Sequence, residues 1–212
     1  DVAHIRGAPR AHLVDHLGPI WLALPEEVRG TFFVSDRHLV EHAQQRGIDA
    51  VYDTPFRKGG PVLIASRPDS NFCELERPLI FLEHGSGQTY RDAPRHPSYS
   101  GGRNRERVAL FLTLNETTAA RERAAYPSAR VEIIGSPRLD VLASEVAAMR
   151  LGSNPRPVVA FAFHWHCTIV PETKSTWQHW WPALRPLTET YEVLGHAHPR
   201  IYQTLAPLYD RM

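Results

Sequence analysis

The sequence predicts an α/β fold built on a Rossmann-like, mostly parallel sheet. Short runs rich in Val, Ile and Phe alternate along the chain with stretches of helical pattern. Several of these runs are apolar on both faces, as strands covered by helices on both sides must be. Alternation of this kind is typical of a doubly wound sheet with right-handed crossovers.

The predicted strands are short apolar runs bounded by turn residues. In chain order they are residues 2–5, 31–34, 50–52, 62–65, 79–82, 109–113, 131–134, 158–163 and 191–194. Helices are predicted over residues 12–24, 37–46 and 115–125, where apolar residues recur at helical spacing. Asn115 and Glu116 are suited to an N-cap and an acidic first turn, so the last of these helices begins there.

The segment 144–156, which ends in LGSNPRP, divides the chain. Residues 1–145 contain enough strands for one complete Rossmann-like domain, and residues 146–156 are predicted to connect it to a second domain across a cleft. Residues 157–212 contain only two predicted strands. We therefore expect the second domain to be Rossmann-like but incomplete.

Composition excludes several classes of function. The chain has 212 residues, 42% hydrophobic content and a formal net charge of +1, which indicate neither a nucleic-acid nor a membrane partner. Cys73 and Cys167 have no CxxC spacing, which argues against a disulfide framework and a four-cysteine zinc site. With no long apolar run and no signal-like N-terminus, the sequence predicts a cytoplasmic protein without an integral membrane segment.

Chemically active residues gather where the predicted strands end, which is where open α/β sheets bind ligands. Glycines allow backbone N–H groups to approach an oxyanion, and arginines add forked hydrogen bonds, so these positions suit a phosphorylated ligand. The candidate site residues are Glu83, His84, Gly85, Ser86, Gly87, Ser136, Arg138, His164, His166, His196, His198 and Arg200.

Three segments together resemble one family. LEHGSGQTY resembles the histidine-glycine segment after a central strand of CDP-glycerol glycerophosphotransferase-like enzymes, the teichoic acid primase and polymerase group. GSPRLDVL is similar to that family's segment before the interdomain linker, and YEVLGHAHPRI to its strand that ends in histidine-proline. The segments occur in the family's order within residues 78–201. The resemblance implies two facing Rossmann-like domains, the glycosyltransferase B fold. Residues 1–145 would be the acceptor-side domain, and residues 157–212 would be the start of the nucleotide-donor domain.

The resemblance also implies a transferase that moves a glycerophosphate or glycosyl group from a nucleotide-linked donor to an acceptor hydroxyl. The acceptor would be a polyol phosphate, a glycan or a modified nucleoside, and peripheral membrane association stays open. His84, held by Glu83 or another partner, would be the catalytic base near the acceptor. His198 would hold the donor phosphate, and Arg200, Arg138 and Ser136 would line the same rim. No metal or other cofactor is expected, because imidazole and guanidinium groups can carry the phosphate.

Three alternatives remain open from the sequence. His164 and His166 are two residues apart, as are His196 and His198, so a histidine cluster could bind zinc if their strands were neighbours. A UDP-sugar epimerase-like enzyme would have the same two-domain shape. A non-catalytic binding module with a degenerate cleft would also fit the incomplete second domain.

Overall fold

The computed structural model describes residues 3–7, 11–34, 36–52, 60–64, 77–83, 105–149, 155–163 and 176–197. The chain forms two compact units, residues 1–149 and residues 150–212. Each unit has a parallel sheet of its own.

The sheet of the first unit has seven parallel strands within the described residues. In chain order they are β1 (Ala3–Gly7), β2 (Arg29–Val34), β3 (Ala50–Tyr52), β4 (Val62–Ile64), β5 (Leu79–Leu82), β6 (Val108–Thr113) and β7 (Arg130–Ile133). Across the sheet the order is β3-β2-β1-β4-β5-β6-β7. This is the doubly wound order, in which the direction of winding reverses between β1 and β4. The fold is therefore α/β and Rossmann-like, as the sequence predicts.

The described helices of the first unit are α1 (Ala11–Ala23), α2 (His38–Gln44), α3 (Glu116–Ala125) and α4 (Pro137–Ala148). The helix α1 forms because Leu13, Val14 and Leu17 recur on one face, and all three are buried. The helix α3 begins at a capping box, in which the Asn115 side chain accepts from the Thr118 N–H and the Thr118 hydroxyl accepts from the Asn115 N–H. The predicted N-cap is therefore confirmed.

Among the described residues of the first unit, two apolar clusters form the core. One includes residues of α1 and α2 together with Leu82, and the other includes Leu79 and Phe81 together with Phe111 and Tyr126. Because successive residues of a strand point to opposite faces, β5 contributes alternately to the two clusters. The clusters therefore lie on opposite faces of the sheet, and α3 covers the face to which Phe81 points.

Within its described residues, the second unit has a two-stranded sheet of β8 (Val158–Phe163) and β9 (Glu192–Ala197), and α5 (Trp177–Leu187) lies between them in the chain. The strands are parallel and pair from Val158 with Glu192 to Phe163 with Ala197. Phe163 and Leu184 are buried, whereas Val158 and Leu194 are about half exposed. One face of this small sheet is therefore covered better than the other.

Each of the nine predicted strands overlaps a strand of the structure, and the three predicted helices are present. The helices α4 and α5 are not among the three predicted helices. The helix α4 includes residues 146–148, which the sequence places in the predicted connection of residues 146–156. The division into units falls between Met149 and Arg150. The two-domain interpretation with a cleft between the domains stays a prediction.

Candidate functional site

The candidate site residues of the first unit belong to the carboxyl ends of β5 and β7. Glu83 directly follows β5, and Ser136 and Arg138 follow β7. His84, Gly85, Ser86 and Gly87 lie outside the described residues, as do His164, His166, His198 and Arg200. The described candidate residues are therefore Glu83, Ser136 and Arg138 in the first unit and, separately, His196 in the second unit.

Glu83 is held in place by its backbone and by its side chain. Its N–H donates to the carbonyl of Leu112, which extends the pairing of β5 with β6 by one residue. The carboxylate Oε1 accepts a hydrogen bond from an Nη atom of Arg121 at 2.7 Å. Glu83 points to the face of the sheet that α3 covers, because it continues the alternation of Leu79 and Phe81. Its side chain is only 15% exposed.

Arg121 also approaches a second carboxylate, that of Glu122, at 3.5 Å. Arg105 donates to the same Glu122 oxygen at 3.3 Å, and its guanidinium lies 4.5 Å from the ring centroid of Phe81. Glu83, Arg121, Glu122 and Arg105 thus form a row of alternating charges between the sheet and α3. We call these four residues the α3 charge row.

Burial determines the electrostatics of this row. The Glu122 side chain is 3% exposed, and the loss of hydration raises its pKa above the ordinary value of 4.5. Arg105 and Arg121 act in the opposite direction, and the nearby Glu83 charge adds to the increase. Desolvation outweighs the two cations because an ionised carboxylate loses most of its hydration in this layer.

The second oxygen of Glu83, Oε2, has no hydrogen-bond donor among the described residues and is buried. A proton acceptor in catalysis has to reach its substrate, directly or through one water molecule. The Glu83 carboxylate instead lies between the sheet and α3, with its other oxygen on Arg121. This geometry suits a structural ion pair between the sheet and α3 better than a group that exchanges protons with a ligand.

Ser136 and Arg138 lie at the start of α4. Gly135 has a positive φ of 73°, which glycine adopts without strain and which turns the chain from β7 into the helix. Ser136 is the N-cap residue, but its side chain makes no capping hydrogen bond. The strand β7 is two strands away from β5, about 10 Å at the usual strand spacing. The structure therefore does not bring Ser136 and Arg138 into direct contact with Glu83.

His196 lies near the end of β9, is exposed, and pairs in register with Ala162 of β8. Among the described residues, no three His, Cys, Asp or Glu side chains are arranged as a metal site requires. The described helices also include none that is long and apolar enough to cross a membrane.

Sequence reasoning missed Arg105, Arg121 and Glu122. One signal was available in the sequence. Residues three apart lie on the same face of a helix, so Glu122 shares the face of Ala119 in the predicted helix and places a charge on an apolar face. A charged residue on such a face needs a buried partner. The sequence does not say which residue that partner is.

Comparisons with known proteins add no assignment. No family model matches the chain, and no curated protein is significantly similar to it.

Proposed function

We propose that this chain belongs to a transferase of the glycosyltransferase B type that moves a glycerophosphate or glycosyl group from a nucleotide-linked donor to an acceptor hydroxyl. The observation that supports this proposal best is the position of the three family-like segments. EHGSG begins directly after β5, GSPR begins two residues after β7, and the histidine-proline pair follows directly on β9. All three begin at the carboxyl ends of parallel strands, where such sheets bind ligands.

In this proposal the chemistry is a proton transfer combined with the departure of a phosphate. The His84 imidazole takes the proton from the acceptor hydroxyl, and the oxygen attacks the donor at the atom linked to the nucleotide phosphate. His198, together with Arg200, donates hydrogen bonds to the departing phosphate. Gly85 and Gly87 leave room for the acceptor because they have no Cβ.

The proposal is tested by incubating the protein with CDP-, UDP- and GDP-linked donors and a panel of polyol phosphate, glycan and modified-nucleoside acceptors. We expect release of the nucleotide and transfer to one acceptor class. His84→Ala should lower the turnover rate by about a hundredfold or more, with donor affinity nearly unchanged, because it removes a general base. His179→Ala, at an exposed histidine of α5, is the matched control. A folded His84→Ala protein with full turnover would refute the role of His84.

A metal-dependent enzyme is the second candidate, and one observation favours it. The strands β8 and β9 are parallel neighbours that end together, with Phe163 paired to Ala197. In the sequence, His164 and His166 follow the end of β8 at Phe163. His196 precedes the last residue of β9, Ala197, and His198 follows it. Titration with Co²⁺, followed by the absorption of the bound ion, tests this candidate. Binding that His196→Ala abolishes would favour it, and absence of binding would exclude it.

A further inference from the structure

The end of the first unit carries a dense group of exposed apolar side chains. Of the fourteen large apolar side chains that are exposed among the described residues, seven lie between residues 133 and 149. They are 39% to 60% exposed, and they are Ile133, Ile134, Leu139, Val141, Leu142, Val146 and Met149. Apolar surface concentrated in this way marks an interaction site on a folded protein. We call these seven residues the β7–α4 apolar surface.

The helix α4 differs from the other helices described in the first unit, because none of its residues is buried. The helices α1, α2 and α3 each bury part of one face. Helices in proteins gain most of their stability from packing an apolar face. Leu139, Leu142 and Val146 of α4, and Met149 directly after it, recur at the alternating spacing of a helix face that packs against another helix. The exposed face of α4 therefore suits a partner helix.

The same surface lies at an edge of the sheet. In the described sheet β7 is the last strand, with β6 on one side only. Ile133 ends β7, and Ile134 follows it. An edge strand with exposed apolar side chains tends to associate with another chain, unless the protein covers it. Because Ile134 is close in the chain to the start of α4, a partner on this end of α4 also covers the edge.

The charges on α4 indicate which partner fits. Arg138 and Glu145 are one heptad apart, so they lie on the same side of the helix, each directly before a residue of the apolar face. Both side chains are exposed, and neither forms an ion pair with another described residue. When a second copy of α4 lies antiparallel, with a two-fold axis between residues 141 and 142, Arg138 of each copy faces Glu145 of the other. The helix is thus complementary in charge to itself.

We propose that the β7–α4 apolar surface binds a second copy of this chain, with the two α4 helices antiparallel across a two-fold axis. Leu139 of each copy packs against Leu142 of the other, and the two pairs of Arg138 with Glu145 flank these contacts. A register shifted by one heptad would place Val146 opposite Leu142, but it would also set the two Glu145 side chains against each other. The proposed transfer reaction assigns its steps to other residues, so this inference goes beyond it and does not rest on it.

The size of the surface determines how tight the association is. The helix α4 has 12 residues and is therefore about 18 Å long. Stable interfaces bury about 800 Å² on each partner, which is more than one face of such a helix offers. We therefore expect a reversible dimer whose population rises with protein concentration.

Sedimentation equilibrium of the full chain over a range of protein concentrations tests the inference. Leu142→Asp should raise the dimer dissociation constant by about tenfold or more, because it places a charge at the centre of the apolar contact. Val51→Asp is the matched control, since Val51 is 43% exposed, Leu142 is 46% exposed, and Val51 lies on β3 at the opposite edge of the sheet. It should leave the dissociation constant unchanged. Circular dichroism shows whether each variant is folded.

Charge reversal tests the orientation of the helices. Arg138→Glu brings two glutamates together at both ends of the helix pair, and Glu145→Arg brings two arginines together, so each should weaken the dimer several-fold at low salt. The double variant Arg138→Glu/Glu145→Arg should return the dissociation constant to near the wild-type value. In a parallel pair Arg138 would face Ala143 instead, and its reversal would change little. Arg123→Glu, at an exposed arginine of α3, controls for the change in net charge.

Three outcomes would overturn the inference. One is a wild-type chain that stays monomeric at every concentration, whether another protein or another part of the same chain covers the surface. Another is a dimer that Leu142→Asp leaves intact, because such a dimer uses a different surface. The third is a dimer that the single charge reversals do not weaken or that the double variant does not restore. If Leu142→Asp does not fold, the charge variants decide the question by the same measurement.

Discussion

At the scale of single residues, Glu122 is an ionisable group that is almost fully buried. It is a carboxylate on the buried face of α3, between Arg105 and Arg121, and burial raises its pKa. The folded protein therefore holds the Glu122 proton more tightly than the unfolded chain does. The raised pKa of Glu122 therefore adds to the free energy of unfolding at low pH, where the carboxyl is protonated. This contribution is lost as pH rises from the ordinary pKa of 4.5 through the raised pKa of the folded protein.

Glu122→Gln should remove this pH dependence, because glutamine does not titrate. Because wild type loses stability over this range and the variant does not, the free energy of unfolding of the variant minus that of wild type should increase as pH rises from about 4 to 7. Urea midpoints at a series of pH values measure the difference. Glu116→Gln, at an exposed carboxylate of the same helix, controls for the loss of a carboxylate as such. Curves that stay parallel for Glu122→Gln and wild type would contradict the assignment.

The sequence identified some of these residues and not others, for a physical reason. Glu83 could be selected because a polar residue after a predicted buried strand lies at the ligand-binding edge of a parallel sheet. Arg121 is 38 residues further along, and apolar periodicity carries no information about which distant cation meets a given carboxylate. Only the arrangement of α3 against β5 and β6 reveals that pairing.

At the scale of elements, the strands were predictable because each is a run of β-branched, aromatic and leucine residues bounded by turns. The helix α4 was not, although Leu139, Leu142 and Val146 recur at helical spacing. Its first residue is Pro137, and the glycine and serine before it have the composition of a loop. Proline is nevertheless favourable at the first helical position, where its missing N–H has no helical partner.

The two helix starts provide a matched test of capping. Asn115→Ala removes a side chain that accepts from the Thr118 N–H at 3.0 Å, and it should lower the free energy of unfolding by about 1 kcal/mol. Ser136→Ala removes an N-cap side chain with no capping hydrogen bond, so its effect should be smaller. Urea denaturation of both variants makes the comparison. An equal loss at both positions would show that the Asn115 cap contributes nothing specific.

At the scale of the whole molecule, strand alternation predicted a parallel α/β fold but could not supply the strand order. That order depends on the side of β1 on which each crossover places the next strand. The apolar runs carry no signal that distinguishes one side from the other. The order also places the reversal of winding between β1 and β4. Counted from β4, the strand that precedes Glu83 is one strand away, and β7, which precedes α4, is three strands away. For this reason the sequence grouped Ser136 and Arg138 with Glu83, whereas the structure separates them.

The first unit should fold without the rest of the chain. Both of its core clusters and all seven of its described strands come from residues before Met149, so residues 1–149 contain the packing that stabilises the sheet. We expect this shortened protein to unfold cooperatively in urea and to keep the far-UV circular dichroism of an α/β domain. Within it, Phe111→Ala, at a fully buried position, should lower the free energy of unfolding by about 3–5 kcal/mol. Leu139→Ala, at an exposed position of α4, should change it by far less. A gradual transition that neither substitution affects would show that residues 1–149 do not form this core alone.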